Sequence, residues 1–365
     1  MTSPLANVFT LVLAGGSGTR FWPASRSDRP KQVLGMGPDP SRSLIAHTVR
    51  RIEPLCSLER VIVATGEALV AVTREALPDL GADSFIAEPV ARNTAPCIAW
   101  AAQLIARRDP NAVVMVLPSD HHIADEAGFR TVLERALEIA EAGTITTVGI
   151  KPTRPETGYG YIEAEHELYP GVLKVSRFVE KPDLARARDY LASGKHYWNS
   201  GMFFFRASDM LQAVEKHLPE LHSGLAEIES AAQAGKESEL QATRRVFQAL
   251  PSVSIDYGIM EKLSRLAVVP GTFGWSDLGS WHTVWELGTR DPLDNVGPKD
   301  ALFLDAERNL VEDLRTRKTP RVVALLGVKD LCVVETDDAV LIMPRDRAQD
   351  VRQVVEELKR RGGPV

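Results

Sequence analysis

The 365-residue sequence predicts an α/β protein: a mostly parallel sheet with helices on both faces, followed by a small β-rich domain and a terminal helix. Three observations carry this. Apolar strand-like runs alternate with helical patterns through the first half, as parallel strands joined by crossover helices do. Beyond Gly149 short strands succeed one another. From Asp291 the composition turns to Pro, Asp and Gly, then to short apolar runs between turn residues. The expected division is residues 1–290 and 291–365.

Strands are predicted at Phe9–Leu13, Arg60–Ala64, Ser84–Ala87, Ala112–Leu117 and Thr144–Gly149, each a short apolar run. Helices are predicted near Leu44–Ile52, Ala68–Ala76, Ala95–Ala106 and Phe129–Glu141. Three further strands, within Thr157–Glu165, Val172–Pro182 and Trp198–Ser208, have no helices assigned between them and read as a sheet extension. Met210–Lys262 reads as helical, with Glu, Gln, Ala and Lys on its exposed faces. DPLDNVGPKD, Asp291–Asp300, reads as a linker. Strands follow at Ala301–Leu304, Arg321–Gly327, Leu331–Thr336 and Ala339–Pro344. In the terminal helix, Asp346–Arg361, Val351, Val354, Val355 and Leu358 keep i, i+3, i+4, i+7 spacing, and Gly362 stops it. Such an apolar stripe must be covered, by the protein's own body or by another subunit.

Composition excludes several classes. Acidic residues outnumber basic ones, 49 to 43, for a net charge of −6, which argues against a general nucleic-acid or anionic-membrane binder. No run approaches the roughly 18 apolar residues of a membrane span, and MTSPLANVFT lacks the pattern of a signal peptide, so a cytoplasmic protein is expected. Cys56, Cys97 and Cys332 lie far apart among apolar residues, which fits buried free thiols better than a disulfide or zinc site.

The chemistry concentrates after the first strand. Gly15, Gly16 and Gly18 let backbone N–H groups approach an anion, and Arg20, Arg26, Arg29 and Lys31 follow. Strand, glycine turn and cations together describe a polyphosphate site. The loop is neither a dinucleotide fingerprint, since Phe21 stands where glycine is needed, nor a P-loop, since no Gly-Lys-Ser/Thr occurs. Three other stretches carry polar groups at strand or helix ends. Asn93 or Thr94 can cap a helix, with Pro96 in its first turn. Asp120 stands just past a strand, where it either caps a turn or ligates a hard cation; zinc is disfavoured because no third ligand sits near His121 and His122. Glu180 and Lys181 can be a solvated pair, Asn199 ordinary turn chemistry, and Asp277 an Asx-turn.

Taken jointly, GGSGTR, WP and RPKQ in residues 15–32, EPVARNTAP, LPSDHH, FVEKP, WNSG and GWSDLG resemble the nucleotide-sugar pyrophosphorylases, in the variant seen in mannose-1-phosphate guanylyltransferases. Matching blocks extend nearly to the C-terminus. The resemblance implies a Rossmann-like nucleotidyltransferase sheet and a short left-handed β-helical coil, without the isomerase domain fused to some longer relatives. It implies GTP and mannose 1-phosphate as substrates, GDP-mannose and pyrophosphate as products, Mg²⁺ as cofactor, and a homodimer. By the same resemblance Arg20 and Lys31 are catalytic; Ala14, Gly15, Gly16, Gly18, Asn93, Thr94, Ser119 and Asp120 bind nucleotide. Gly160, Glu180, Lys181 and Asn199 take the sugar phosphate, and Asp120 and Asp277 hold the metal. A guanylyltransferase for another manno-configured sugar 1-phosphate, such as a heptose, is the neighbouring expectation. A glycosyltransferase would need an Asp-x-Asp motif that is missing, and a non-catalytic sensor should have lost Lys31, Arg20 or a metal aspartate.

Overall fold

The computed structural model describes residues 7–16, 18–316 and 321–365; the reading of MTSPLANVFT therefore lies mostly outside the described residues. The chain forms two compact units. One comprises the described residues up to Gly15 with Thr48–Ser119 and Ile123–Trp275; the other comprises Gly16–His47, Asp120–His122 and Ser276–Val365. The second unit thus takes in the expected β-rich domain and adds to it three segments from before residue 291.

The first unit is built on β1 (Val8–Leu13), β2 (Val61–Gly66), β3 (Phe85–Glu88), β4 (Val113–Pro118), β6 (Thr146–Ile150), β7 (Tyr161–Tyr169), β8 (Val172–Val179), β9 (His196–Arg206) and β10 (Ala267–Gly271). The two-residue strands β5 (His122–Ile123) and β11 (Trp275–Ser276), like helix α1 (Leu44–Ile52), lie where the chain passes from one unit to the other. The nine strands run in the order β3-β2-β1-β4-β9-β6-β10-β8-β7. Only β8 and β9 run against the other seven, so the sheet is mostly parallel, as expected. Its helices are α2 (Val70–Ala76), α3 (Thr94–Arg108), α4 (Glu126–Glu141), α5 (Leu184–Ser193), α6 (Ala207–His217), α7 (Pro219–Gln233), α8 (Lys236–Ala249) and the single turn α9 (Ile255–Gly258). Helix α5 corrects the expectation of three strands without intervening helices. Asp183 caps it, accepting from the Arg186 N–H at 2.9 Å, and only Ala187 is buried, so it carries almost no apolar periodicity to read.

Register decides where ligands can reach this sheet. Leu13 pairs with Ala64 and Pro118, and Gly66 with Glu88, so β1 to β4 finish along one edge. Ala14, Glu88 and Ser119 stand at that carboxyl edge, where open α/β sheets bind ligands. Behind it Leu11, Ile62, Val114 and Val116 pack against Ile98 and Ile105 of α3, all essentially buried. The three cysteines are buried free thiols, and no helix among the described residues is long and apolar enough to cross a membrane.

The second unit holds α10 (Trp281–Leu287), strands β12 (Leu302–Leu304), β13 (Leu310–Asp313), β14 (Ala324–Leu326), β15 (Leu331–Glu335) and β16 (Val340–Pro344), and α11 (Val351–Arg361). β12 pairs in parallel with β14, and β13 with β15, the arrangement of successive turns of a coil. Residues 291–300 are no simple linker. Asn295 and Asn309 are fully buried; Asn295 Oδ1 accepts from Asn309 N and Nδ2 at 3.0 and 2.9 Å, and Asn309 Oδ1 accepts from Leu331 N at 2.9 Å. Each bond satisfies a buried backbone or amide group that would otherwise be costly to desolvate.

The terminal helix covers its own stripe. Val351 and Val355 are buried with Leu310, Cys332, Val334, Trp281 and Phe21 in one core, Leu358 packs against it, and Gly362 caps the helix with φ 67°. Three of the four stripe residues are therefore accounted for inside the unit, while Val354 stays exposed. Val355→Asp should destabilise the protein by on the order of 3 kcal/mol or more, because it buries an uncompensated carboxyl group. Urea unfolding measures this, and an equally stable variant would mean that α11 is not seated on that core.

Candidate functional site

In the second unit everything turns on Lys31. Its side chain is buried, yet its ammonium donates to Asp120 Oδ2 at 2.7 Å and to the Asp277 carbonyl at 2.8 Å. An ammonium out of water is tolerable only with such partners. Gly18 makes the approach possible: at φ 61° it is left-handed, and a Cβ there would stand 2.5 Å from Lys31 Cβ and 2.9 Å from its backbone nitrogen. Ser25 Oγ clamps the same residue, donating to the Gly18 carbonyl at 2.7 Å. Phe21 lies under the ammonium, 5.2 Å from the ring centroid, and stacks edge-on against Trp281.

Burial works to raise the Asp120 carboxyl, but the Lys31 charge, with His121 and the Lys31 hydrogen bond, holds it below the usual carboxylate range. Asp120 is thus an anion at any ordinary pH. The turn bearing Asp277 is held by Ser276 Oγ, which accepts from Leu278 N at 3.1 Å. Leu278 itself is fully buried at φ 46°, a left-handed conformation a leucine keeps only where its surroundings impose it. Arg20 reaches Gln349 Oε1 at 3.2 Å from a partly exposed position. Arg26 departs from the expected cationic cluster: its guanidinium donates to the carbonyls of Pro23 and Ser25 and pairs with Asp338 at 2.8 Å, so it serves the unit's own framework.

The first unit brings together the remaining expected residues in two groups. At the carboxyl edge, Ala14 N donates to the Ala64 carbonyl at 2.8 Å, the Ala14 carbonyl accepts from Thr65 Oγ1 at 3.0 Å, and Ser119 N donates to the Leu13 carbonyl at 3.1 Å. Their backbones are therefore locked where the strands end. Asn93 caps α3, its Oδ1 accepting from Thr94 N at 2.9 Å, and it does so at φ 66°. Thr94 Oγ1 accepts from Ile255 N at 2.8 Å.

Glu88 was not singled out from the sequence, although EPVARNTAP begins with it. It is buried, its Oε1 has no hydrogen-bond partner among the described residues, and its other contact is the Cys97 thiol. Burial pushes its carboxyl up to about 7, against a modest pull from the Cys97 hydrogen bond. A carboxylate closing a short apolar strand is the signal that could have found it.

The second group is polar on one side and aromatic on the other. Asn199 N donates to the Gly160 carbonyl at 2.8 Å. A Cβ on Gly160 would come within 2.6 Å of Glu180 Oε2, so that carboxylate lies directly against the glycine. Lys181 pairs with Glu180 Oε1 at 2.5 Å while remaining largely exposed. Tyr159 stacks edge-on against Trp198 and Trp275 at 5.2 and 5.4 Å. Apolar ring faces beside carboxylate and amide acceptors suit a ring that carries hydroxyls.

The model of the nucleotidyl transferase family matches residues 9–292, and that of the MannoseP isomerase/GMP-like beta-helix domain matches residues 300–358. The xanthan biosynthesis protein XanB of Xanthomonas campestris is 41% identical over 98% of this chain and 74% of its own length. A mannose-1-phosphate guanylyltransferase of Escherichia coli K12 is 39% identical over 98% of this chain and 74% of its own length. A crystal structure from Thermus thermophilus, described as a mannose-1-phosphate geranyltransferase, superposes with a TM-score of 0.85 at 35% identity, covering 97% of this chain and 99% of that one.

The displaced Glu88 carboxyl makes stability depend on pH. Between its ordinary value of 4.5 and about 7 the folded state holds a proton that the unfolded chain has released, so stability falls as pH rises through that window. Glu88→Gln removes the loss. It should gain on wild type progressively from about pH 5 to pH 8, by up to about 3 kcal/mol. A stability difference that stays constant over that range in chemical denaturation would show that Glu88 ionises as freely as a carboxyl in water.

Proposed function

Since the chain belongs to the nucleotidyl transferase family, we propose that it transfers GMP from GTP to mannose 1-phosphate, releasing pyrophosphate and forming GDP-mannose. The observation that carries this is the Lys31 ammonium buried against Asp120 and Asp277, a fixed charge array of the kind phosphoryl transfer uses. The guanylyltransferase relatives supply the choice of base and sugar.

The sugar phosphate reaches the reaction already ionised, so no side chain need take its proton. One of its oxygens attacks the α-phosphorus of GTP in line with the departing pyrophosphate, and the bond to the β-phosphate oxygen breaks. What the protein contributes is placement and compensation of charge. Lys31 and Arg20 meet the phosphate oxygens, together with N–H groups of the Gly15–Gly18 loop. Asn93 and Thr94 border the base. Glu88 offers an acceptor that suits the N1–H and N2–H donors of guanine, a pair that adenine lacks. Glu180 and Asn199 accept and donate to sugar hydroxyls across from Gly160, and Lys181 faces phosphate.

Asp120 and Asp277 fit a magnesium ion. No group of three or more His, Cys, Asp or Glu side chains occurs among the described residues, which disfavours an all-protein cage. Two carboxylates suit a hard cation that keeps water and takes phosphate oxygens for its other ligands. Bound there, the ion would neutralise charge on the phosphates. A cytoplasmic setting goes with three buried free thiols.

Pyrophosphate release with each of the four NTPs crossed against a panel of sugar 1-phosphates tests the reading. GTP with mannose 1-phosphate should be the best pair, and a preference for UTP or dTTP would overturn it. Turnover should stop in EDTA and return with Mg²⁺. Lys31→Ala should lose about 2–4 kcal/mol of transition-state stabilisation, the scale of one preorganised electrostatic contact. A loss of only a few tenths in kcat/KM, with the variant still folded, would remove Lys31 from the chemistry.

A further inference from the structure

The turn Ser254–Gly258 lies outside every stretch assigned a role above, yet it joins the two groups of the first unit. Val253 N donates to the Arg92 carbonyl at 3.2 Å, Ala95 N donates to the Val253 carbonyl at 3.1 Å, and Ile255 N donates to Thr94 Oγ1 at 2.8 Å. Three bonds therefore fasten the turn to the loop around Asn93. On its other side Asp256 Oδ1 accepts from Asn199 Nδ2 at 2.8 Å. Asn199 Oδ1 accepts from Gly201 N at 3.0 Å. The amide is thus held at both ends and cannot flip without losing both bonds. Its second Nδ2 hydrogen remains for another acceptor, such as a hydroxyl.

We propose that Asp256 is a positioning residue for the sugar 1-phosphate: its ionised carboxylate fixes the Asn199 amide and ties it to the Arg92–Ala95 loop. The inference rests on the reading of Gly160, Glu180 and Asn199 as the sugar-phosphate subsite. Charge matters because a carboxylate makes a shorter, stronger hydrogen bond to an N–H than a neutral carboxyl does. The surroundings put that charge within reach of titration. Burial and the neighbouring Glu180 carboxylate push Asp256 up to about 6, against its backbone and Asn199 hydrogen bonds and the Lys181 charge. The charged groups acting on it are Glu180 and Lys181 at the end of β8; Glu180 also raises Glu261, on the following turn, together with burial. From α3 the turn is met by the uncharged Thr94 hydroxyl, which accepts from Ile255 N. Below about pH 6 Asp256 takes up a proton and its hold on Asn199 weakens, so affinity for the sugar phosphate should fall while that for GTP stays.

Steady-state kinetics of the full chain from about pH 8 to pH 5.5 test this with wild type, Asp256→Asn and Asp256→Ala. Asp256→Asn keeps shape and an acceptor oxygen but has no charge to lose. At pH 7.5 it should raise KM for mannose 1-phosphate about five- to tenfold, the margin between a charge-assisted and a neutral hydrogen bond. Its kcat and KM for GTP should stay within about twofold of wild type. The ratio of variant to wild-type KM should shrink towards one at pH 5.5, and the substrate's own ionisation divides out of that ratio. Asp256→Ala, which also loses the bond, should keep a raised KM at both ends. A ratio independent of pH, or a GTP KM raised as much as the sugar-phosphate KM, would overturn the assignment; the asparagine variant decides if the alanine one fails to fold. Wild-type protein that releases no pyrophosphate with any sugar 1-phosphate would instead overturn the proposed reaction.

Discussion

The second unit depends on one buried ammonium. Taking Lys31 out of water carries a desolvation penalty of several kcal/mol, which stands unless partners replace the lost hydration. Asp120 Oδ2 and the Asp277 carbonyl supply them, and local geometry follows from that need. Gly18 has to be glycine because its α-carbon approaches the Lys31 backbone. Leu278 is forced into a left-handed conformation in the turn that presents the Asp277 carbonyl. In the proposed reaction, an array already arranged around a positive charge would need little reorganisation to receive phosphates, which is how fixed charges accelerate a reaction.

Three carboxylates illustrate how placement divides labour. Asp120, next to Lys31, is held below its ordinary range. Glu88, buried beside a thiol, is pushed up to about 7, and Asp256, near another carboxylate, to about 6. The first is a permanent anion suited to a cation or to Lys31 itself. The other two sit close enough to neutrality that a ligand donating hydrogen bonds can draw them into the charged form. Binding of such a ligand is then linked to proton release. Environments that separate the titration of like side chains are a mark of functional sites.

Much of this was legible in the sequence because it is local. A buried strand followed by glycines announces β1 and its loop, and the parallel half of the sheet follows from alternating apolar runs and amphipathic helices. Asn93 as a cap needed only residue type and position. What was hidden is long-range. Nothing in VSIDYG says that Asp256 reaches Asn199, 57 residues earlier in the chain. Arg26 reads as one more phosphate-binding cation until its partners, two carbonyls and Asp338, are known. α5 and β13 escaped because one buries a single alanine and the other, LVED, follows two apolar residues with two acidic ones. DPLDNVGPKD reads as a linker by composition, and only the coil explains why Asn295 is buried.

That coil also explains where the segment bearing Arg20 and Lys31 gets its rigidity. Phe21, Trp22, Leu34 and Met36, which flank Lys31 in sequence, share a core with Leu310, Cys332 and Val334 of the coil and with Val351 and Val355 of α11. Trp281 Nε1 donates to the Trp22 carbonyl at 3.1 Å, and Trp22 Nε1 reaches the Pro364 carbonyl at 3.3 Å. Residues 291–365 are therefore not an appendage to a finished catalytic domain. They provide the apolar surface against which the segment bearing Arg20 and Lys31 folds. Glycines give that segment its close approach but no packing of their own, and a loop so composed would otherwise sample many conformations. The buried Asn295–Asn309 network holds successive turns of the coil in register, and the coil in turn holds the loop. A polar cluster remote in sequence from Lys31 thereby contributes to fixing the position of its charge.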